Sequence, residues 1–225
     1  MSRFLEQLRA DLRPMAQAVA AAATPISLLE FLAREVQTDN GPWTPAKHEP
    51  LLEHIQLLER IVTKRESNSQ VTTVKAEQIG YTTFAIGFAV WLVATAHYNT
   101  AYFLPNDDFA KEWGMTKLNP IVDESPYLSQ LVADGAVDRG VLKDFAGKFL
   151  YLLGLHKLSG ATSRPNDFQV SDEVDLTSER VRKWKRGRMR HSELRCELDF
   201  SAPYAQNSGI DLRYQLGSQR RWLVR

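Results

Sequence analysis

The segment from Val71 to Thr83 has the residue types and spacing of a loop that binds phosphate. A β-branched run leads into a polar stretch that ends at Gly80, where helix-forming sequence begins. In such a strand–loop–helix unit the helix N-terminus points free N–H groups at phosphate oxygens. The usual pattern, G-x-x-x-x-G-K-[ST], is matched only in its second half, because Tyr81 replaces its lysine and Lys75 replaces its first glycine. A plain strand–turn–helix with an incidental glycine also fits these residues.

Two side chains of this segment suit the binding of ATP. Lys75 could reach over the loop to the β- and γ-phosphates, and the hydroxyl of Thr82 could ligate Mg²⁺. We therefore predict a nucleotide site here. Its predicted loop residues are Lys75, Ala76, Glu77, Gln78, Ile79, Gly80, Tyr81, Thr82 and Thr83.

A pair of acids follows a second apolar strand, about 90 residues after the loop. In ATPases with such a loop, the first acid orients Mg²⁺ through its water shell and the second is the general base. Asp172 is thus the predicted metal residue and Glu173 the predicted catalytic base. Acid pairs after strands are common and usually solvated, so the prediction depends on the pair following the loop at a suitable distance.

A third strand end contains Ser201 and Pro203. Helicase-like motors often carry a Ser/Thr-x-Pro element here, next to the γ-phosphate. We predict that these two residues couple the nucleotide to the rest of the motor, although a strand that stops at a proline has the same sequence.

These segments belong to an alternation of strands and helices. Strands are predicted at Val71–Val74, Thr100–Leu104, Phe149–Leu155, Phe168–Val170 and Leu194–Phe200. Helices are predicted at Ile26–Val36, Pro50–Thr63, Thr82–Ala96, from Asn106 as N-cap to Leu118, and at Ser178–Met189. Such alternation predicts an α/β fold with a mainly parallel sheet flanked by helices.

Composition excludes several classes of protein. The 225 residues are 44% hydrophobic and 24% charged, which is typical of a globular chain and not of a disordered or coiled-coil one. A single cysteine, Cys196, excludes a disulfide framework and a multi-cysteine zinc site. The longest apolar run, Phe84–Ala96, is shorter than the roughly 20 residues that span a bilayer, so we predict a buried helix there.

Charge is distributed unevenly along the chain. Residues 1–178 hold 16 basic and 22 acidic residues, whereas residues 179–225 hold 12 and 5. Such asymmetry suggests a polyanion or an acidic neighbour as partner, and a solvated helix face is the alternative. The predicted contacts to DNA or to a neighbouring subunit are Arg180, Arg182, Lys183, Lys185, Arg186, Arg188 and Arg190.

Several motifs resemble, in order, those of the large subunits of tailed-bacteriophage terminases of the lambda type. KAEQIGYTT resembles their loop, which begins with a lysine, and GPWTPAKHEPLLEHI resembles the segment before their ATPase core. TAYFLPNDDFAKEW, SRPNDFQVSDEVD and FSAPYAQNSGIDLRYQLGSQRRW are similar to their later motifs. The resemblance covers about residues 41–222.

The resemblance implies a P-loop ATPase, with Walker A and Walker B elements, that uses ATP and Mg²⁺ to translocate double-stranded DNA into a procapsid. It also implies a small terminase subunit, a portal, a homo-oligomeric ring and the host bacterial cytoplasm. We expect a helical N-terminal extension over residues 1–45, the ATPase domain over residues 46–225, and no nuclease domain in this chain.

Two departures from the family pattern keep other functions open. Glu77 stands where related loops often have an arginine, and Lys47 stands where a glutamine often binds adenine. We therefore retain Lys47 as a nucleotide-binding candidate. A degenerate, non-hydrolysing module for assembly or DNA binding, or a helicase-like ATPase acting on other nucleic acid, remain alternatives.

Overall fold

The computed structural model describes residues 26–38, 41–76, 78–157 and 164–221. Glu77 and most of the predicted N-terminal extension lie outside the described residues. The described part of the extension contains helix α1 (Leu28–Glu35) and a hairpin of β1 (Gln37–Thr38) with β2 (Gly41–Pro42). The domain boundary at residue 45 stays a prediction.

Within the described residues, one sheet of seven strands forms the centre of the fold. In spatial order its strands are β3 (Gln70–Val74), β9 (Cys196–Ser201), β8 (Phe168–Asp172), β4 (Thr100–Leu104), β7 (Lys148–Gly154), β6 (Leu142–Phe145) and β5 (Asp138–Arg139). The pairings from β3 to β7 are parallel, and those of β7 with β6 and of β6 with β5 are antiparallel. The predicted mainly parallel α/β fold is confirmed.

The positions of two strands in the sheet agree with the expectation in part. We expected the strands before Lys75 and Asp172 to be neighbouring or near-neighbouring central strands. Strand β9 alone separates them, so they are near neighbours as expected. The expected central position of β3 is wrong, because β3 is at the edge of the sheet among the described residues. The antiparallel extension of β5 and β6 was not predicted, because its strands are short and contain charged residues.

Helices cover both faces of the sheet. Besides α1, they are α2 (Leu52–Thr63), α3 (Tyr81–Ala94), α4 (Asp107–Trp113), α5 (Asn119–Glu124), α6 (Pro126–Ala133), α7 (Glu179–Lys185) and α8 (Gly209–Gln215). Side chains of β4 alternate between two cores, as expected for a strand. Tyr102 and Leu104 lie in the same core as α3, whereas Ala101 and Phe103 pack with Val181 of α7.

Helix α3 is buried along nearly its whole length, with the ring of Phe88 against that of Phe168 at 5.2 Å between centroids. Its apolar run is therefore a core helix, as predicted. Among the described residues, no helix is both long and apolar enough to cross a membrane.

The helix that begins after Asn106 continues past its predicted end. The side chain of Asn106 accepts a hydrogen bond from Phe109 N at 2.8 Å, which confirms the cap. The predicted end at Leu118 is wrong, because a π-helical segment, Gly114–Leu118, leads directly into α5. Pro120 lies in the first turn of α5.

Candidate functional site

Parallel pairing brings three functional strand ends to one edge of the sheet. Lys75 follows β3, Asp172 ends β8, and Ser201 ends β9. Ser201 is in register with Val74, and Asp172 is in register with Phe200. Ligands of open α/β sheets bind at the carboxyl ends of such strands. The candidate site is therefore positioned by three separate parts of the chain.

Lys75 is at the centre of this cluster. Its Nζ donates to Asp172 Oδ1 at 2.9 Å and lies 2.7 Å from Glu173 Oε1. Thr82 Oγ1 lies 3.4 Å from the same nitrogen. Burial opposes the charge of Lys75, but the two adjacent carboxylates outweigh it and raise the pKa of the lysine. Lys75 therefore remains a cation at this edge.

Thr82 and Asp172 place hard oxygen atoms side by side. Thr82 Oγ1 is 3.4 Å from Asp172 Oδ2, and the hydroxyl of Tyr102 lies 3.5 Å from the same atom. Burial raises the pKa of Asp172, against the opposing charge of Lys75. No group of three or more His, Cys, Asp or Glu side chains in the described ranges could hold a metal ion. An oxygen pair fits Mg²⁺, which is usually bound by one or two carboxylates together with substrate phosphates.

Glu173 follows in a left-handed conformation, with φ of 49°. Ser201 Oγ donates to its Oε2 at 3.1 Å. The carboxylate of Glu173 therefore lies between Lys75 and Ser201. Pro203, the other predicted coupling residue, is exposed two positions beyond Ser201.

The predicted loop begins helix α3 with Gly80 as its N-cap, at φ of 73°. Gly80 has no side chain that could cap the first N–H groups of the helix. These N–H groups are therefore suited to bind an anion. The side chain of Tyr81, in contrast, points into the core. Its hydroxyl lies 2.7 Å from His54 Nε2 and 3.1 Å from Thr73 Oγ1. Only the backbone of Tyr81 is available to a nucleotide.

Sequence reasoning missed His54. Burial lowers the pKa of His54 to about 4, so its imidazole is neutral at pH 7. The available signal was its position beside Ile55 and Leu58 on the apolar face of α2.

A cavity of about 530 Å³ adjoins the loop. This volume is within the usual range of small-molecule sites. The predicted residue Lys47 lines it, together with Gln37, Thr38, His48, Gln78, Ile79, Gly80 and Thr83. The cavity is also lined by Thr116, Lys117, Pro120 and Ile121, so the π-helical segment contributes to it.

Two of the predicted basic contacts are buried, which contradicts their assignment to a DNA or subunit surface. Lys185 is 1% exposed, and its Nζ donates to Ser171 Oγ and Asp199 Oδ1. Arg182 is 8% exposed, and its Nη1 donates to the carbonyl oxygen of Val174 at 2.6 Å. A seven-residue helix packed on a sheet must turn some basic positions inward, and buried acceptors pair with them here. Trp184, on the same helix, is 56% exposed.

The other basic residues of the run remain at the surface. Arg180, Lys183, Arg186 and Arg190 are exposed, and Arg188 is partly exposed. Arg188 O accepts from Asn166 N, just before β8 begins. The run therefore extends from the carboxyl end of the parallel strands, where the candidate site lies, to their amino end.

Comparisons with known proteins found one family model and a similar solved structure. A family model described as the ATPase domain of the phage terminase large subunit gpA matches residues 39–225. The chain is also similar to a solved structure, described as the crystal structure of the HK97 bacteriophage large terminase, with a TM-score of 0.62 and 11% identity. That similarity covers 82% of this chain and 39% of the other, so the chain spans about two-fifths of its length. A search of curated proteins found no match.

Proposed function

The chain belongs to the family of phage terminase large subunit ATPase domains, and we propose that it hydrolyses ATP to move double-stranded DNA into a procapsid. One observation carries the proposal. Lys75 contacts Asp172 across 97 positions of sequence, at 2.9 Å, and it also contacts Glu173 at 2.7 Å. A cation, a carboxylate suited to Mg²⁺ and a candidate base thus meet beside the loop. The loop leads into helix α3, whose first N–H groups are free to bind an anion.

Each group has a separate role in the proposed reaction. The N–H groups at the start of α3 and the ammonium of Lys75 bind the phosphates. Thr82 and Asp172 would hold Mg²⁺, which supplies charge neutralisation at the phosphate oxygens when bound. Glu173 accepts the proton of the attacking water, and the hydroxyl of Ser201 orients its carboxylate.

The cavity beside the loop is the proposed binding site of the adenine base of ATP. Lys47 offers a charge there, whereas the amide of Gln37 offers both a donor and an acceptor to a base edge. Substitution of Gln37 by Ala should therefore weaken the preference for ATP over GTP, because the amide of Gln37 would no longer contact the adenine base.

The remaining family properties are proposals for this chain. They comprise a ring of copies, a small terminase subunit, a portal and work in the host cytoplasm. ATP turnover by the isolated chain should be slow or absent. Glu77 replaces a possible arginine in the loop, and an arginine from a neighbouring subunit can contribute roughly 10³–10⁵ in rate.

Two variants test the catalytic assignment. Lys75→Ala should weaken binding of Mg²⁺·ATP, because the phosphates lose a cation. Glu173→Gln should leave binding unchanged and abolish turnover, because only the base is lost. Glu179→Gln, at an exposed glutamate on α7, is the matched control.

Turnover should be measured at low and high protein concentration, with and without double-stranded DNA. Parental turnover by Glu173→Gln would contradict the assignment of the base. Tight nucleotide binding without turnover in any of these conditions would favour the non-hydrolysing alternative.

A further inference from the structure

We propose that Asp175 is a positioning residue that fixes the turn after Glu173 by binding it to the N-terminus of α8. The inference rests on the proposed function, in which Glu173 is the base. Asp175 lies in the short 3₁₀ turn Val174–Leu176, which connects β8 to the segment before α7. Its role is thus to act through Glu173 and not on the nucleotide itself.

The carboxylate of Asp175 binds two backbone groups of a distant segment. Oδ1 accepts from Ile210 N at 2.7 Å, and Oδ2 accepts from Tyr204 N at 3.1 Å. Gly209 allows this approach, because a Cβ there would come within 2.2 Å of Asp175 Oδ1. Gly209 also has a φ of 51°, a conformation that favours glycine.

Helix α8 depends on this carboxylate for its cap. Its N-cap residue, Ser208, makes no side-chain capping hydrogen bond. The first N–H groups of a helix need an acceptor, and a negative charge there also interacts well with the helix dipole. Asp175 supplies both from another part of the chain.

The turn is held from its other side as well. Arg182 Nη1 donates to Val174 O, and Leu176 N donates to Glu173 O at 3.0 Å. Glu173 has a left-handed backbone, which a non-glycine residue keeps only where its surroundings enforce it. Asp175 and Arg182 therefore both bind this turn to neighbouring elements.

The same distant segment also contacts Glu173 directly. Ser201 donates to the carboxylate of Glu173, and Tyr204, three residues later, donates its N–H to Asp175. One stretch of chain is therefore bound to both acids. A displacement of α8 would move the turn, and with it the base.

Amide hydrogen exchange of the full chain tests this role without requiring activity. In Asp175→Ala, the amides of Leu176 and Thr177 should exchange about tenfold faster or more, together with those of Tyr204 and Ile210. The matched control is Asp211→Ala, because Asp211 also accepts a backbone N–H of this segment, from Asn207 at 2.6 Å, yet does not bond the turn. It should leave Leu176 and Thr177 unchanged.

A second measurement separates positioning from general stability. Single-turnover hydrolysis by Asp175→Ala should fall at least about tenfold while its Kd for Mg²⁺·ATP stays unchanged. Asp175→Asn, which retains one acceptor oxygen, should give a smaller change at the same amides. This variant replaces Asp175→Ala in both measurements if the alanine variant does not fold.

The proposal is overturned if only the amides of Tyr204 and Ile210 accelerate, because the turn would then be independent of α8. It is equally overturned if Asp211→Ala has the same effect on Leu176 and Thr177. If the parent chain hydrolyses no ATP even at high protein concentration with double-stranded DNA, the proposed function fails, whereas the exchange rates still support or overturn the role of Asp175.

Discussion

Gly80 lies directly against the imidazole ring of His48. A Cβ at position 80 would come within 2.9 Å of His48 Cδ2 and Nε2. The ring cannot easily move away, because its Nδ1 is 2.9 Å from Thr44 O and it stacks on Trp43 at 4.8 Å. The glycine of the loop is thus required by two constraints, its left-handed backbone and this contact.

Replacing Gly80 by alanine should therefore be destabilising. We expect Gly80→Ala to lower the free energy of unfolding by about 2 kcal/mol and to weaken nucleotide binding, measured by denaturation and by titration. Adding His48→Ala should recover the steric part and not the backbone part. Gly187→Ala is the control, since nothing lies within 4 Å of a Cβ there. Equal effects of the two glycine substitutions would contradict the argument.

Lys185 should matter for stability and not for a surface contact. Its ammonium lies among Asp199, Glu197 and Ser171. Burial alone would raise the pKa of Asp199, but Lys185 and Arg213 outweigh it and lower that pKa. Lys185→Ala should lower the free energy of unfolding by about 3 kcal/mol, because it leaves buried carboxylates with less compensation.

Lys183→Ala is the matched control for Lys185. It lies two positions away on the same helix, and its side chain is 74% exposed. Its removal should change the free energy of unfolding by less than about 0.5 kcal/mol. Urea denaturation of both variants gives the comparison, and a small effect of Lys185→Ala would show that the buried pair is unimportant.

His54 should make stability depend on pH. Its folded-state pKa of about 4 is below the usual 6.5, so the unfolded chain binds more protons between these values. The folded state is then destabilised as pH falls through this window. Between pH 7 and pH 5 the loss should be about 2 kcal/mol at most, since the ring is partly exposed.

The variant His54→Gln should lack this part of the pH dependence. Urea denaturation of the parent and the variant at both pH values isolates the contribution of His54 from that of the acidic residues. Identical pH dependence of the two proteins would show that His54 does not titrate in this window.

The exposed basic residues should determine how DNA binding depends on salt. Replacing Arg186, Arg188 and Arg190 by glutamine should flatten the log–log salt dependence by roughly 0.9 for each DNA phosphate that the variant leaves without a cationic partner. Lys185 is excluded because its replacement would disturb the core. The control carries the same change of charge at three exposed residues elsewhere, Arg34, Arg60 and Lys111. An unchanged slope would make the run a solvated helix face.

The sequence was sufficient to predict the five parallel strands, several of the helices and the order of the candidate site residues. The strand Thr100–Leu104 and the cap at Asn106 were located correctly. Lys75 was placed in a loop after a strand, Thr82 was placed at the start of the next helix, and Asp172 was placed just after another strand. These features depend on short stretches of sequence, namely β-branched and apolar runs, capping residues and glycine. Residues that are close in sequence therefore determine them.

Only the tertiary structure decided which residues meet. It placed β9 between β3 and β8, buried Lys185 beside Asp199, and brought Asp175 to the N-terminus of α8. Each of these contacts joins segments that are distant in sequence, and the register and order of the strands determine which ones lie side by side. A basic residue in a helix has the same local sequence whether it faces water or a buried carboxylate, so its role depends on the surface against which the helix packs.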